Sequence, residues 1–264
     1  MKTIKILIII MIFAIIQMPV FDARAGISVA PDRHIVSLSP GEETLVKYQV
    51  SNVGAKDVNI TIAPEAWSGL KDPYDWLALQ SDNIYVKAGE SSPIVIGVSA
   101  PEDAIGEMVA MLFLCYKDTS ESQLNIRNGV PLYMIIKGTE DYGLDIDNIE
   151  VTYTKNDNNV NDLNIIVDIN NTGNVHIVPD VKVFIRNNNG KLLKEASLNR
   201  PNIVLRGKKH TYRLGWRNPF FKDGIYTVTA VLDYEDKIES VSKEAQFNVS
   251  DNNIEMIPSA KAGN

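Results

Sequence analysis

The side chains able to do bond chemistry are few and scattered. His34, His176 and His210 stand in three unrelated contexts, with no His-Glu-x-x-His, no His-x-His and no cysteine beside them, so the ligand spacing of a zinc site is missing. Cys115 is the single cysteine. It has no intrachain disulfide partner, and its place in the apolar run Met108–Tyr116 predicts a buried, inert thiol. Nucleophilic catalysis needs a serine or cysteine poised beside a histidine and an orienting carboxylate, and neither that constellation nor Gly-x-Ser-x-Gly is present. Acidic residues are numerous enough that carboxylate pairs occur at every spacing, which carries no information about glycoside cleavage. The loop Lys155–Asp162 is rich in oxygen donors, but counting from Asp157 puts Asp162 where a calcium loop needs glycine and Asp168 where it needs a bidentate glutamate. A hairpin turn built on Asn and Asp is expected there. The expectation is a non-enzymatic protein with no cofactor and no metal site.

The stretch that points to recognition is Gln123–Lys137, where Leu124, Ile126, Val130, Leu132, Met134 and Ile136 fall on every second position. A period of two puts those side chains on one face of an extended strand. Pro131 lacks an N–H, so the strand is expected at a sheet edge or changing partner at Asn128-Gly129. An open edge recruits an extended segment of a protein partner through backbone hydrogen bonds, with the alternate apolar side chains entering the partner's groove. The competing expectation is that the same side chains face their own core. A second candidate is the aromatic trio Trp67, Tyr74 and Trp76 within Pro64–Leu79. It either stacks on a sugar or closes one end of a core.

Those residues sit in a chain of short extended runs. Candidate strands are Ile27–Ala30, His34–Leu38, Thr44–Asn52, Val58–Ala63, Asn83–Lys87, Pro93–Ser99, Met108–Tyr116 and Gln123–Lys137, punctuated by Pro-Gly, Val-Gly-Ala, Ala-Gly and Ile-Gly turns. After the polar link Thr139–Gly143 a second set begins: Leu144–Thr154, Leu163–Asn170, Val181–Arg186, Lys191–Ala196, His210–Trp216, Tyr226–Tyr234 and Ser240–Val249. The expected fold is all-β, two tandem immunoglobulin-like sandwiches over residues 26–138 and 144–250 with a linker at 139–143, because two such sets exceed what one sandwich of about 100 residues buries. Residues 251–264 have little to bury and are expected to be a mobile tail. The two halves share a turn plan: Ser51-Asn52-Val53-Gly54 and Asn170-Asn171-Thr172-Gly173 each follow an apolar strand.

Residues 1–25 read as a cleaved signal peptide: Lys2 and Lys5, the apolar run Ile6–Ile16, then Ala23-Arg24-Ala25. The run is too short to cross a bilayer as a helix. The mature chain is therefore expected to be exported, periplasmic or at the cell surface, with no transmembrane helix. Cleavage removes Lys2, Lys5, Arg24 and Asp22, which takes the formal charge from −7 to −9. That acidity, without a basic run interleaved with aromatics, argues against nucleic acid as a partner.

The order of elements in 26–138, ending in PLYMIIKG at 131–138, resembles the N-terminal domain of periplasmic pilus-assembly chaperones. Trp76-Leu77-Ala78-Leu79, Lys87–Glu90 and Ala100–Ala104 look like segments of many bacterial surface immunoglobulin-like modules. The second half, with NTGNVHIVPDVKVFI at 171–185, YRLGW at 212–216 and GIYTVTAVLDY at 224–234, resembles the membrane-proximal sandwich of WxL-interacting surface proteins. The chaperone resemblance implies a protein partner taken as an added strand. In that family an arginine near the first strand and a lysine on the last strand of domain one grip the client's terminal carboxylate, whereas this chain has Ile35 and Tyr133 near those places. Arg33, Arg127 and Lys137 would substitute only in a different register. The runner-up expectation is a structural spacer or adhesin-like surface module.

Overall fold

The computed structural model describes residues 26–67, 70, 72–117, 125–155, 161–198, 202–234, 239–251 and 253–258. The signal-peptide reading at 1–25, most of the Asn-rich loop and Leu124 lie outside the described residues. Among those described there is no α-helix, only a 3-10 turn at Tyr74–Trp76.

The first set of strands comprises β1 (Ile27–Ala30), β2 (His34–Leu38), β3 (Glu43–Asn52), β4 (Val58–Ala66), β5 (Leu77–Leu79), β6 (Asn83–Val86), β7 (Ser91–Ser99), β8 (Glu107–Lys117) and β9 (Asn125–Ile136). They form two sheets, ordered β1-β3-β7-β5 and β2-β9-β8-β4-β6. Alternation drives the packing: Val46, Tyr48 and Val50 of β3 and Ile94, Ile96 and Val98 of β7 point inward and are buried.

The second set is β10 (Leu144–Lys155), β11 (Asn161–Asn171), β12 (Asp180–Asn187), β13 (Leu192–Ser197), β14 (Lys209–Trp216), β15 (Gly224–Asp233), β16 (Val241–Ser250) and β17 (Asn253–Ile257). Its sheets are ordered β10-β11-β14 and β13-β12-β15-β16-β17. Leu163, Ile165, Val167 and Ile169 of β11 face Val181, Val183, Ile185, Val228, Ala230 and Leu232 in one core. The fold is all-β, with two sandwiches. One expectation is corrected: the segment after residue 250 is not simply a tail, because β17 pairs antiparallel with β16 from Ser250↔Asn253 to Gln246↔Ile257 and lays Ile254 and Met256 on the core. Pairing to a ready-made edge makes up for how little it can bury alone.

By spatial compactness the chain divides into two units. Among the described residues, one gathers those up to His34, Glu43–Ser99 and those within Val109–Tyr133; the other gathers Ile35–Glu42, Ala100–Met108 and those from Met134 onward. The second unit thus takes in short stretches from before residue 139 as well as all that follows it.

Each unit contains the same buried asparagine knot. In the first, the Asn52 side-chain amide donates to the carbonyls of Lys56 (2.8 Å) and Val86 (3.0 Å), and its oxygen accepts the Gly54 N–H (3.0 Å). Its backbone N–H reaches the Glu90 carbonyl and its carbonyl takes the Gly89 N–H. In the second, Asn171 repeats all five bonds, to Val175, Val204, Gly173, Lys208 and Gly207. The amides are 2% and 0% exposed. An asparagine is required because only a side-chain amide offers two donors and an acceptor at once without charge.

Candidate functional site

β9 is extended because its apolar residues alternate over most of its length, and the structure shows which face they take. Leu132, Met134 and Ile136 are 0% exposed and Val130 is 6% exposed, so these four belong to their own core; Ile126 is half-buried. Gly129 serves a close approach: a Cβ there would lie 2.9 Å from the Met111 sulfur and 3.0 Å from a Phe113 ring carbon. Arg127 is exposed, lies 3.4 Å above the Phe113 ring centroid and pairs with Glu65.

The neighbours of β9 differ along its length. On one side is β8, along its edge. On the other is β2, whose five residues end at Leu38, and the Lys137 N–H donates to the Leu38 carbonyl (2.8 Å) while the Ile136 N–H donates to the Gly106 carbonyl (2.8 Å) on the β8 side. Backbone polar groups of successive residues point to opposite edges of a strand. Counting back in twos from Lys137 therefore gives Ile135, Tyr133, Pro131, Gly129, Arg127 and Asn125 as the residues whose N–H and C=O face the β2 side. A strand starting beside Lys137 and remaining along β9 runs parallel to it and reaches back about five residues, to about Tyr133. Beyond that point, among the described residues, no strand covers Asn125–Pro131.

The expectation of an edge strand is thus corrected to a half-covered one. Pro131 falls in the outward-facing set, so the N–H it lacks is one that no strand of the described fold would receive. Its carbonyl is not bare either: the Tyr48 hydroxyl donates to it at 3.0 Å. Burial pushes the Tyr48 phenol well above its usual range, which keeps the proton on that donor. Among the described residues, no strand meets the outward N–H and C=O of Asn125, Arg127 and Gly129.

The other sequence candidates are not brought to this edge as a set. Trp67 packs on Tyr133 with ring centroids 6.0 Å apart. Trp76 is buried and lines a hollow of about 310 Å³ with Glu43, Leu45, Asp75, Gly97 and Ser99 on the other sheet. Tyr74 is exposed. Of the cations offered as carboxylate grips, Arg33 pairs with Asp32 (3.4 Å), Lys137 with Glu42 (3.7 Å) and Arg127 with Glu65. Cys115 is half-buried and not fully enclosed. Among the described residues no group of three or more His, Cys, Asp or Glu side chains converges to hold a metal ion.

One polar constellation escaped the sequence reading. Within the second unit the Glu107 carboxylate, with no exposed surface, accepts the His176 backbone N–H at 2.9 Å and contacts the His176 ring nitrogen Nδ1. Nearby the Asn174 amide donates to the Thr139 carbonyl (2.9 Å), and its oxygen accepts the Asp141 N–H (2.8 Å). Glu107 and His176 are separated by 69 residues, and no local pattern links them.

No family model and no curated protein matches the chain. Among solved structures it is similar to the class 5 fimbriae chaperone CfaA, at 16% identity and a TM-score of 0.45 over 83% of this chain and 98% of that one. It is also similar to a chain of the CsuC–CsuE chaperone–tip adhesion subunit pre-assembly complex of archaic chaperone–usher Csu pili from Acinetobacter baumannii, at 14% identity and a TM-score of 0.44 over 83% and 98%. A third is the E. coli chaperone DraB, at 13% identity and a TM-score of 0.43 over 83% and 96%. At these identities and TM-scores no residue role passes across.

Proposed function

We propose that this chain is an exported, non-enzymatic protein-binding module that takes an extended segment of a protein partner, such as a subunit of a surface assembly, by strand addition beside Asn125–Gly129. The observation that carries the reading is the stretch of β9 whose outward backbone groups face no strand among the described residues, beside a half that β2 covers. Three outward residues give an added strand up to three donors and three acceptors, enough to fix register. The side-chain part of the original expectation contracts to Ile126, since Val130, Leu132, Met134 and Ile136 are already spent on the core. Leu124, outside the described residues, keeps its place in the proposal by alternation alone.

The test separates backbone from side chain. Partners are first captured from the exported-protein fraction, identified, and reduced to synthetic segments whose affinity is measured. Arg127→Pro removes one outward N–H that the fold does not use and is expected to weaken binding at least tenfold, while Arg127→Ala keeps it. Ile126→Asp weakens binding in a stable protein, whereas Leu132→Asp unfolds the protein because it buries a charge in a site with no exposure. Equal binding by Arg127→Pro and the unaltered chain refutes strand addition.

A further inference from the structure

We propose that the corner of the second unit formed by β13, the end of β14 and the loop 217–223 docks onto an anionic lipid surface. From Leu144 onward the exposed large apolar side chains of the described residues are Leu192, Leu193, Phe220 and Ile225. The pairing register gathers them at one end of the sandwich: Leu192 stands opposite Arg186, Arg186 opposite Thr227, and Ile225 lies two residues before Thr227 on the same face of β15. Phe220 is in the loop that leads into β15.

Phe220 is held outward by its neighbours. Phe221 is anchored among rings, with centroids 5.5 Å from Trp216, 4.7 Å from Tyr226 and 5.9 Å from Phe247. Asn218 takes a left-handed backbone (φ 46°), and its N–H is bonded to the Asp162 carboxylate at 3.0 Å. With both flanks fixed, the Phe220 ring is left 86% exposed. An aromatic presented this way has no packing role in the unit.

The charges around it run against the rest of the molecule. The chain carries a formal −7, yet Arg186, Lys191, Lys194, Arg217 and Lys222 belong to this corner, with the Lys194 ammonium 5.6 Å from the Trp216 ring centroid. The facing acids are Glu195 and Asp223, together with Asp162, which is bonded to Asn218; Asp251 and Glu255 belong to the β16–β17 side of the sheet. Apolar tips projecting from strand ends and a loop, with Lys and Arg on the same strands and loop, match a headgroup layer that lets rings sink while phosphates meet the cations. The proposal does not rest on strand addition at β9.

The test uses residues 26–264 and vesicles of phosphatidylglycerol with phosphatidylcholine, against phosphatidylcholine alone. Co-sedimentation is expected only with the anionic vesicles and is lost at high salt. Phe220→Ser lowers partitioning about tenfold, and Arg217→Glu or Lys194→Glu each lowers it at least about fivefold. Melting curves show that each variant stays folded. Brominated lipid quenches a fluorescence component that Trp216→Phe removes. Absence of binding to the anionic vesicles, or binding that Phe220→Ser leaves unchanged, overturns the proposal. So does Phe220-dependent self-association without vesicle binding, which assigns the patch to contact between copies of the chain.

Discussion

Replacing Asn171 by alanine is expected to be among the most damaging single changes in the second unit, although it deletes only an amide. The side chain makes two donor bonds at 2.8 Å to the carbonyls of Val175 and Val204 and accepts the Gly173 N–H at 3.0 Å, all from a site with no exposure. Three hydrogen bonds at about 1 kcal/mol each set a floor of about 3 kcal/mol, and leaving buried carbonyls dry raises the loss toward about 5 kcal/mol. The matching Asn52→Ala change costs about 1 kcal/mol less, because its bond to the Lys56 carbonyl is only partly buried and water can replace it, whereas the corresponding Asn171 bond to Val175 is fully buried. Denaturant unfolding followed by tryptophan fluorescence reads the two apart, since Trp216 reports on the second unit and Trp67 and Trp76 on the first. Asn171→Asp is the control. It keeps the acceptor, loses both donors and sets a charge against two carbonyls, so it should be no better than alanine. A loss under about 1 kcal/mol for Asn171→Ala, or full stability of Asn171→Asp, refutes the reasoning.

Burial, with a smaller contribution from the Asp180 charge, raises the Tyr212 phenol from 10.0 to about 12. Ionising the phenol is therefore harder in the folded than in the unfolded chain, so stability is level below pH 10 and falls as pH rises from 10 to 12. Because the Tyr212 hydroxyl has no hydrogen-bond partner among the described residues, Tyr212→Phe should match the parent within about 1 kcal/mol at neutral pH and lose less across that alkaline window, which denaturation at both pH values checks. Glu107→Ala takes away the acceptor of the buried His176 backbone N–H, and calorimetry should show a loss of about 1 to 3 kcal/mol, with Glu107→Gln intermediate. Division of the chain at 139–143 is a proposal: limited proteolysis should cut near that link before it cuts within a strand, and a single resistant core over 26–250 whose halves cannot fold apart would refute it.

Nearly every strand was legible, because period-two alternation is local and turns announce themselves through Gly, Asn and Pro. The likeness of Asn52 and Asn171 was visible as a pair of similar turns, but their burial was not, since it depends on Val86 and Val204 arriving from a later strand and bridge. Pro131 pointed to an edge for a sound reason. That β2 covers half of it is a tertiary fact that no residue of β9 encodes. The short β5 and β17 were missed because three or five residues carry too little alternation to stand out. Glu107 opens β8 and is buried, and no pattern in the sequence around it marks that. His176, far along the chain, is what lets it be buried.

Pro131 also bears on how copies of this chain treat one another. A sheet edge with a full row of donors and acceptors is an invitation to every identical edge in a concentrated solution, and pairing that can repeat without limit ends in fibres. Here the row is cut in the middle: one half is occupied by β2, a proline removes a donor at the boundary, and a tyrosine hydroxyl takes the carbonyl that goes with it. Two such edges meeting side by side would find only a few outward groups each before running into the blocked half. If strand addition at β9 holds, the same edge that takes a fitting segment offers copies of the chain too short a stretch for open-ended stacking.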